Sequence, residues 1–228
     1  MEIHKPKAAH NWREFVIEIG TIVIGILIAL SLEQAIEAIH ERQLAQEAQE
    51  AINAEMRLDL GRIAYRLSQQ PCVDRRLDQI TALLADWNHG KTPPAGLNIG
   101  RPDDVPMVDQ RWQANLNSGR FNRQSPAEQT EQAGFYTQLS IFNDILHHEH
   151  DVWSQLRTLD LGPDVLSIDL RPAVVAALAN ARTDANDIRQ LGQLMERRFG
   201  HRGVPPKAFD EATIQSNTCQ AIRGNQQK

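Results

Sequence analysis

The longest run of apolar positions lies near the start of the chain, from Phe15 to Leu32, and Glu18 is its only charged residue. Isoleucine and valine side chains fall on every face of a helix drawn through it. Its 18 residues would span about 27 Å as a helix, close to the roughly 30 Å hydrocarbon thickness of a bilayer. Because such a helix has no polar face for water, the pattern predicts a transmembrane helix over residues 14–34, after a short tail over 1–13.

Two other interpretations of this run stay open. A cleaved signal peptide would use the basic leader and the small-residue pattern Ala29-Leu30-Ser31. A soluble protein would bury the run in its core. Glu18 argues against a signal peptide, because it interrupts the apolar region early. Trp12 and Arg13 favour a retained anchor, because an aromatic ring and a cation are common at the membrane interface.

The flanks of the apolar run predict its orientation. Three cations precede it, Lys5, Lys7 and Arg13, whereas three glutamates follow it before the next cation, Arg42. Because basic residues stay on the cytoplasmic side, we predict a cytoplasmic N-terminus and an exported C-terminal body. In a bacterium this is a single-pass inner-membrane protein with a periplasmic body.

Small side chains recur within the run at Thr21, Gly25 and Ala29. Four-residue spacing places them on one helix face, where another helix could approach closely. Glu18 lies on nearly the same stripe, and a carboxylate inside a membrane usually has a partner. We therefore predict a packing face for a homo-oligomer or an envelope protein partner. The alternative is that Glu18 lies at the cytoplasmic interface and the stripe faces lipid.

Helical periodicity continues through the rest of the chain. The first helix is predicted over 12–70, and its extramembrane stripe is Ala35, Ile39, Leu44, Ala48, Ile52, Met56, Leu60, Ile63 and Leu67. Pro71 ends this helix and begins the next, over 72–88. Prolines and glycines predict a long loop over 89–108.

The C-terminal half continues in the same way. A short helix is predicted over 109–118, and Ser125-Pro126-Ala127-Glu128 is a typical helix start that predicts a helix to Leu159. A last long helix follows the start signal at 167–172 and runs to Phe199.

No stretch of the chain alternates apolar and polar residues with period two. The predicted fold is therefore all-α. It consists of an N-terminal transmembrane helix that continues into a long helix, with an antiparallel helical-bundle body over 35–203. An irregular tail is predicted over 204–228.

The charge balance excludes one class of partner. The chain has 24 Lys and Arg against 29 Asp and Glu, a formal net charge of −5. A slightly acidic chain without a basic patch argues against a nucleic-acid partner. The predicted partners are the lipid bilayer, a second copy of the chain and an envelope protein. No cofactor is predicted.

Several motifs resemble those of a bacterial family of short, single-pass membrane proteins of unknown function. They are the anchor E-x(9)-I-G-I-L-I-A-L over Glu14–Leu30, Pro71-Cys72-x-x-Arg75-Arg76-Leu77, Arg111-Trp112 with Ser118-Gly119, and Cys219. The resemblance implies a bacterial envelope protein and implies no activity.

One segment has the character of a metal site, His147-His148-Glu149-His150-Asp151. On a helix His147 neighbours both His150 and Asp151, so these side chains could converge on a zinc ion. The segment lacks the His-Glu-x-x-His pattern, and no second ligand-rich segment accompanies it. We predict a polar, solvent-facing segment and no metal, with His147, His150 and Asp151 as the residues that would form a site.

Other candidate chemistry is sparse. Arg111, Trp112 and Arg120 are candidates for an anion or partner site, with helix capping and core packing as the alternative. The chain shows no glycine-rich phosphate loop, no nucleophile elbow and no catalytic triad pattern. We predict a protein that is not an enzyme. Its role is structural or protein-interacting, or alternatively that of a periplasmic, sensor-like ligand-binding module that works with a separate membrane partner.

The two cysteines, Cys72 and Cys219, both lie outside the predicted anchor. Cysteine pairs in exported domains commonly form disulfides. We predict a Cys72–Cys219 disulfide that staples the tail to the start of the second helix. Two unpaired thiols are the alternative.

Overall fold

A computed structural model of the chain describes residues 12–103, 106–202 and 216–222. No β-strand occurs in these ranges, so the all-α prediction is confirmed. The α-helices are α1 (Trp12–Ser68), α2 (Gln70–Asn88), α3 (Gln110–Asn117), α4 (Pro126–Leu156) and α5 (Arg171–Phe199). Short 3-10 helices lie at Arg120–Arg123, Arg157–Leu161, Ile168–Leu170, Gly200–Arg202 and Asn217–Cys219.

The chain divides into two compact units, one ending at Gln49 and one beginning at Glu50. The predicted body begins earlier, at residue 35, so the first residues assigned to it belong to the first unit. In that unit, none of the apolar window of α1 is buried. The alternative that a soluble core buries this segment therefore finds no support in the described residues. One helix there is long and apolar enough to cross a membrane.

The boundary between α1 and α2 is a local break. Gln69 separates the two helices, yet its backbone stays in the right-handed helical region, with φ −78° and ψ −11°. Pro71 lies in the first turn of α2, as predicted, where its missing N–H needs no partner. The chain therefore passes from α1 into α2 without reversing.

Contacts with α5 show in which direction the end of α1 and α2 run relative to that helix. They join Leu67 to Gly192, Gln70 to Ala185 and Asp78 to Arg182. Since residue numbers rise on one side and fall on the other, the end of α1 and the whole of α2 run antiparallel to α5.

Helix α4 begins with the predicted capping box. The Glu128 N–H donates to Ser125 Oγ, and the Ser125 N–H donates to Glu128 Oε2, each at 3.3 Å. The α-helix ends at Leu156, earlier than the predicted Leu159, and a 3-10 helix carries the chain on to Gly162, whose φ is +80°. Helix α4 runs antiparallel to α5, since Gly134 lies against Arg198 and His148 pairs with Asp184.

Two apolar clusters form the core of the second unit. One joins α1, α4 and α5, and it includes Ile52, Met56, Ile63, Phe135, Phe142, Ile188 and Phe199. The other joins α2, α4 and α5, and it includes Val73, Leu77, Ile80, Trp153, Leu156, Val174 and Ala181. Burial of each Val, Leu, Ile, Met or Phe side chain in these clusters stabilises the fold by about 1.5–3 kcal/mol. The apolar stripes predicted from Ile52 onward therefore meet in these two clusters, whereas Ala35 and Ile39 of the predicted α1 stripe are exposed.

The structure also brings the two cysteines together. The sulfur atoms of Cys72 and Cys219 lie 2.02 Å apart, across a sequence separation of 147 residues. Part of the predicted irregular tail is the short 3-10 helix at Asn217–Cys219. The rest of that tail, over 204–215 and 223–228, lies outside the described residues.

Candidate ligand pocket beside helix α4

The loop between α2 and α3 forms one wall of a pocket, and a buried arginine holds that loop in place. Arg76 on α2 is 1% exposed, so its guanidinium needs acceptors from the protein. Its Nη1 donates to the backbone carbonyls of Asn98 and Ile99. Its Nη2 donates to the carbonyl of Gln220 at 2.5 Å and to that of Thr218 at 3.3 Å. One side chain therefore ties the loop and the tail to α2, beside the cysteine pair.

Close backbone contact strengthens this attachment. A Cβ added to Gly100 would lie 2.9 Å from the carbonyl carbon of Asn217, and its φ is +66°, so both conformation and space favour glycine. The N–H of Ile99 donates to Asp160 Oδ1 at 2.8 Å. The loop is therefore held between the tail and the chain segment that follows α4.

The next loop residues reach α1 and α4. Asp103 Oδ2 accepts a hydrogen bond from the Tyr65 hydroxyl at 2.6 Å, and the Asp103 N–H donates to Gln69 Oε1 at 2.9 Å. Arg101 Nη1 lies 2.6 Å from His150 Nδ1 on α4. Because a guanidinium can only donate, His150 is the acceptor of this bond.

A pocket of about 260 Å³ opens between this loop and α4. Its apolar lining consists of Pro102, Pro106, Leu146 and Trp153. Its polar lining consists of Arg101, Asp103, Asn143, His147, Glu149 and His150. A concave, largely apolar surface with a few convergent polar groups is the usual form of a small-molecule site.

Glu149 on α4 contributes a buried carboxylate to the pocket. Arg66 on α1 faces it with two hydrogen bonds, Nη2 to Oε1 and Nε to Oε2, the second at 3.2 Å. Burial raises the pKa of Glu149, and the charge of Arg66 opposes that rise. The carboxylate is therefore already engaged by the protein.

Part of the histidine cluster identified in the sequence lines the pocket. His147 and His150 line it, whereas Asp151 is exposed and does not. His148 instead pairs with Asp184 at 2.9 Å. No group of three or more potential metal ligands occurs in the described part of the chain. The ring of His150 faces the Arg101 guanidinium and Asp151 does not line the pocket, and the prediction of no metal stays a prediction.

The predicted packing face lies on the exposed part of α1. Glu18, Thr21, Gly25 and Ala29 are all exposed there. The Thr21 hydroxyl donates to the Ile17 carbonyl at 2.8 Å, so the helix itself satisfies this polar group. A Cβ added to Gly25 would meet nothing within 4 Å. The surface is open, and its role in helix packing stays a prediction.

Trp112 takes the alternative role of a core residue, whereas the side chain of Arg111 is exposed. Their backbone N–H groups, at the start of α3, donate to the Glu55 carboxylate at 2.8 and 3.2 Å. The Trp112 ring stacks on Tyr136 with centroids 4.8 Å apart. Tyr136 also donates its hydroxyl to Glu55 at 2.7 Å, and the buried ring and this acceptor raise the pKa of the phenol.

Asp59, one helical turn along α1 from Glu55, is a second buried carboxylate. It accepts hydrogen bonds from the Val108 N–H at 3.1 Å and from Arg62 at 3.2 Å. Burial raises the pKa of Asp59 to about 6, although both of these partners lower it. The segment before α3 is therefore docked on α1 through two carboxylates.

Sequence reasoning missed three charged residues of α1 that organise this region. Glu55, Asp59 and Arg66 lie three residues after Ile52, Met56 and Ile63 respectively. Three-residue spacing places each of them on the same helix face as the apolar stripe. Charged residues on an otherwise apolar helix face were the feature of the sequence that could have indicated buried polar contacts here.

No protein-family model, curated protein or solved structure matches this chain. The resemblance to short single-pass membrane proteins therefore stays a prediction that rests on the motif residues quoted above. The exposed apolar helix, the cysteine pair and the pocket are the features of the molecule that bear on its function.

Proposed function

We propose that this chain is a membrane-anchored helical protein of the bacterial inner membrane, with a structural or protein-interaction role in the envelope. The observation that carries the proposal is the exposure of the apolar segment of α1. None of its apolar window is buried, and an uninterrupted apolar surface of this length is unfavourable in water. A bilayer removes that surface from water without any further protein contact.

Charge and cysteine chemistry support the orientation. The basic leader favours a cytoplasmic N-terminus, and the lack of Lys or Arg between the run and Arg42 favours export of the body. The sulfur atoms of Cys72 and Cys219 lie at bonding distance. Disulfides persist in oxidising compartments such as the periplasm, so the cysteine pair supports the same direction.

The small-residue face supports interaction within the membrane. Thr21, Gly25 and Ala29 leave the backbone of α1 accessible on one side, and close backbone approach drives helix association in lipid. The partner would be a second copy of the chain or another envelope protein.

A topology reporter tests the orientation. Alkaline phosphatase fused to the C-terminus should be active, because the enzyme folds only in the periplasm, and a fluorescent cytoplasmic reporter at the same site should be dark. An inactive phosphatase together with a fluorescent reporter would reverse the assignment. Alkylation of protein from the periplasm before reduction should leave Cys72 and Cys219 unmodified, because disulfide sulfurs do not react with the reagent. Alkylation of both cysteines would remove the support that they give to a periplasmic location.

The pocket beside α4 favours a second candidate function. It combines an apolar floor with polar side chains at a loop that is already anchored on several sides. A helical periplasmic module of this kind would bind a small molecule and act through a separate membrane partner.

A further inference from the structure

We propose that residues 216–222, which we call the strap, form a redox latch on the body. While Cys72 and Cys219 are joined, the strap lies on α2 and on the loop residues 98–101. When both cysteines are reduced, the strap leaves α2 and the loop residues that it covers open to solvent. This inference goes beyond the proposed function. Export would bring the body to an oxidant that closes the latch, but the latch itself does not depend on topology.

The strap and the loop bind each other through backbone groups. The N–H of Asn98 donates to the carbonyl of Ile222 at 2.6 Å. At the other end of the strap, the hydroxyl of Ser216 donates to the carbonyl of Arg101 at 3.3 Å. These two pairs show that the segments lie side by side and run in opposite directions. Release of the strap would therefore remove the acceptor of the Asn98 N–H.

The guanidinium of Arg76 joins the strap to α2. It donates to the carbonyls of Thr218 and Gln220 in the strap, and to those of Asn98 and Ile99 in the loop. Arg76 is 1% exposed and Thr218 is 2% exposed, so this contact excludes water. After the strap leaves, water can take the place of the two strap carbonyls. Release therefore leaves Arg76 without a buried, unpaired donor.

The strap has little apolar surface to hold it on the body. Ile222 is its only large apolar residue, and it packs, partly buried, against the apolar cluster of α2, α4 and α5. A hydrogen bond that replaces one to water stabilises a segment only slightly, whereas each ordered residue loses conformational entropy. The described contacts alone would therefore leave the strap mostly released. The covalent bond at Cys219 shifts this balance towards docking.

The two cysteines differ in their access to solvent. Cys72 is fully buried on α2, whereas Cys219 is partly exposed in the strap. A dithiol reductant can therefore attack the sulfur of Cys219 as a thiolate, form a mixed disulfide there and displace Cys72, which takes up a proton.

The second thiol of the reductant completes the exchange. It loses its proton, attacks the mixed disulfide and displaces Cys219, which is protonated in turn. The protein has then gained two electrons and two protons, and the reductant has become a disulfide. Closing the latch is the reverse exchange, with a disulfide as the oxidant.

Hydrogen exchange of the full chain in nanodiscs, with and without dithiothreitol, tests the latch. On reduction, exchange of the Asn98 N–H should rise about tenfold or more, because an opening confined to the strap needs less free energy than global unfolding. The Ile99 N–H is the internal control and should change less, since it donates to Asp160, outside the strap. The amides of α5 should keep their protection.

Single-cysteine variants give a second readout that needs no reductant. In Cys219→Ser, we expect a maleimide to modify Cys72 while circular dichroism shows intact helices, because the side of Cys72 that faced the strap is then open. In the matched variant Cys72→Ser, Cys219 belongs to the released strap. It should react as fast in the folded protein as in urea.

Two results would overturn the latch. Unchanged exchange at Asn98 after reduction, or a protected Cys72 in folded Cys219→Ser, would show that the strap stays docked without the bond. Equal loss of protection at Asn98 and throughout α5 would show that the bond cross-links the whole fold. Neither result bears on the orientation in the membrane, which the phosphatase fusion tests separately.

Discussion

Arg66 on α1 and Glu149 on α4 lie 83 residues apart in sequence and form a buried ion pair that joins the two helices. Neither side chain is accessible to solvent to any useful extent, at 0% and 4% exposure. Two parallel hydrogen bonds fix the geometry of the pair. It is therefore a positional constraint on α4, which carries the histidines of the pocket.

Removing one partner should cost much more than removing both. Arg66→Met leaves the Glu149 carboxylate buried without its cation, and we expect unfolding free energy to fall by about 3–5 kcal/mol. The double variant Arg66→Met with Glu149→Leu should recover most of that loss, because no charge is then left unpaired. Denaturant unfolding of the full chain in detergent, followed by circular dichroism, measures both.

The exposed pair Arg182–Asp78, at 2.8 Å, offers the matched control. Because both side chains are accessible to water, Arg182→Met should change stability by about 1 kcal/mol or less. Equal losses for Arg66→Met and Arg182→Met would show that burial does not set the value of the ion pair.

Stability should depend on pH through Asp59. Burial raises the pKa of Asp59 to about 6 in the folded state, from 3.8. The folded state then binds the proton more tightly than the unfolded state, so this group's contribution to stability is present at low pH and is lost as pH rises from about 4 to about 6. Asp59→Asn should flatten that part of the profile and raise stability at pH 7 by about 1–3 kcal/mol.

Thermal unfolding between pH 4 and pH 7 measures this effect. Asp86→Asn is the control, because Asp86 is largely exposed and should leave the slope unchanged. Burial also raises the pKa values of Glu149, Asp184 and Glu196, so a smaller slope of the same sign should persist. A profile for Asp59→Asn that matches the parent would contradict the assignment.

Gly100 should be more sensitive to substitution than a glycine of the same backbone conformation elsewhere. Gly100 and Gly119 have φ of +66° and +69°, but only Gly100 has backbone atoms within 3 Å of an added Cβ. Gly119→Ala should cost about 1 kcal/mol for the left-handed conformation alone. Gly100→Ala should cost more, because the Asn217 backbone must also shift. Unfolding midpoints in denaturant compare the two, and equal losses would show that the tail does not pack on the loop.

Gly25 tests the membrane face of α1. Gly25→Ile places a large side chain on the stripe of Thr21 and Ala29 and should weaken self-association, because close backbone approach is lost. Gly20→Ile is the matched control, since Gly20 lies off this stripe and an added Cβ there, as at Gly25, would meet nothing within 4 Å. A membrane two-hybrid assay measures the interaction. If the parent gives no signal, or both variants behave alike, the stripe faces lipid.

Local features of the sequence were sufficient to predict where α2 and α4 begin. The capping box at Ser125 and Glu128 began α4 where it was predicted, because its hydrogen bonds join residues three apart. Pro71 placed the start of α2 for an equally local reason, its missing N–H. The end of α4 was predicted three residues late, since the tightening into a 3-10 helix before Gly162 has no strong residue signal.

Only the tertiary structure decided which groups the buried charged side chains bind. Arg76 meets carbonyls 22 and 144 residues away, and Glu55 meets the N–H of a residue 56 away. Periodicity places such residues on a buried face but does not name their partners, because the partner depends on which segments the fold brings together. The histidine cluster was visible in the sequence, yet only the loop that carries Arg101 made part of it a pocket. Helix formation follows from contacts within a few residues, whereas a site forms from contacts across the whole chain.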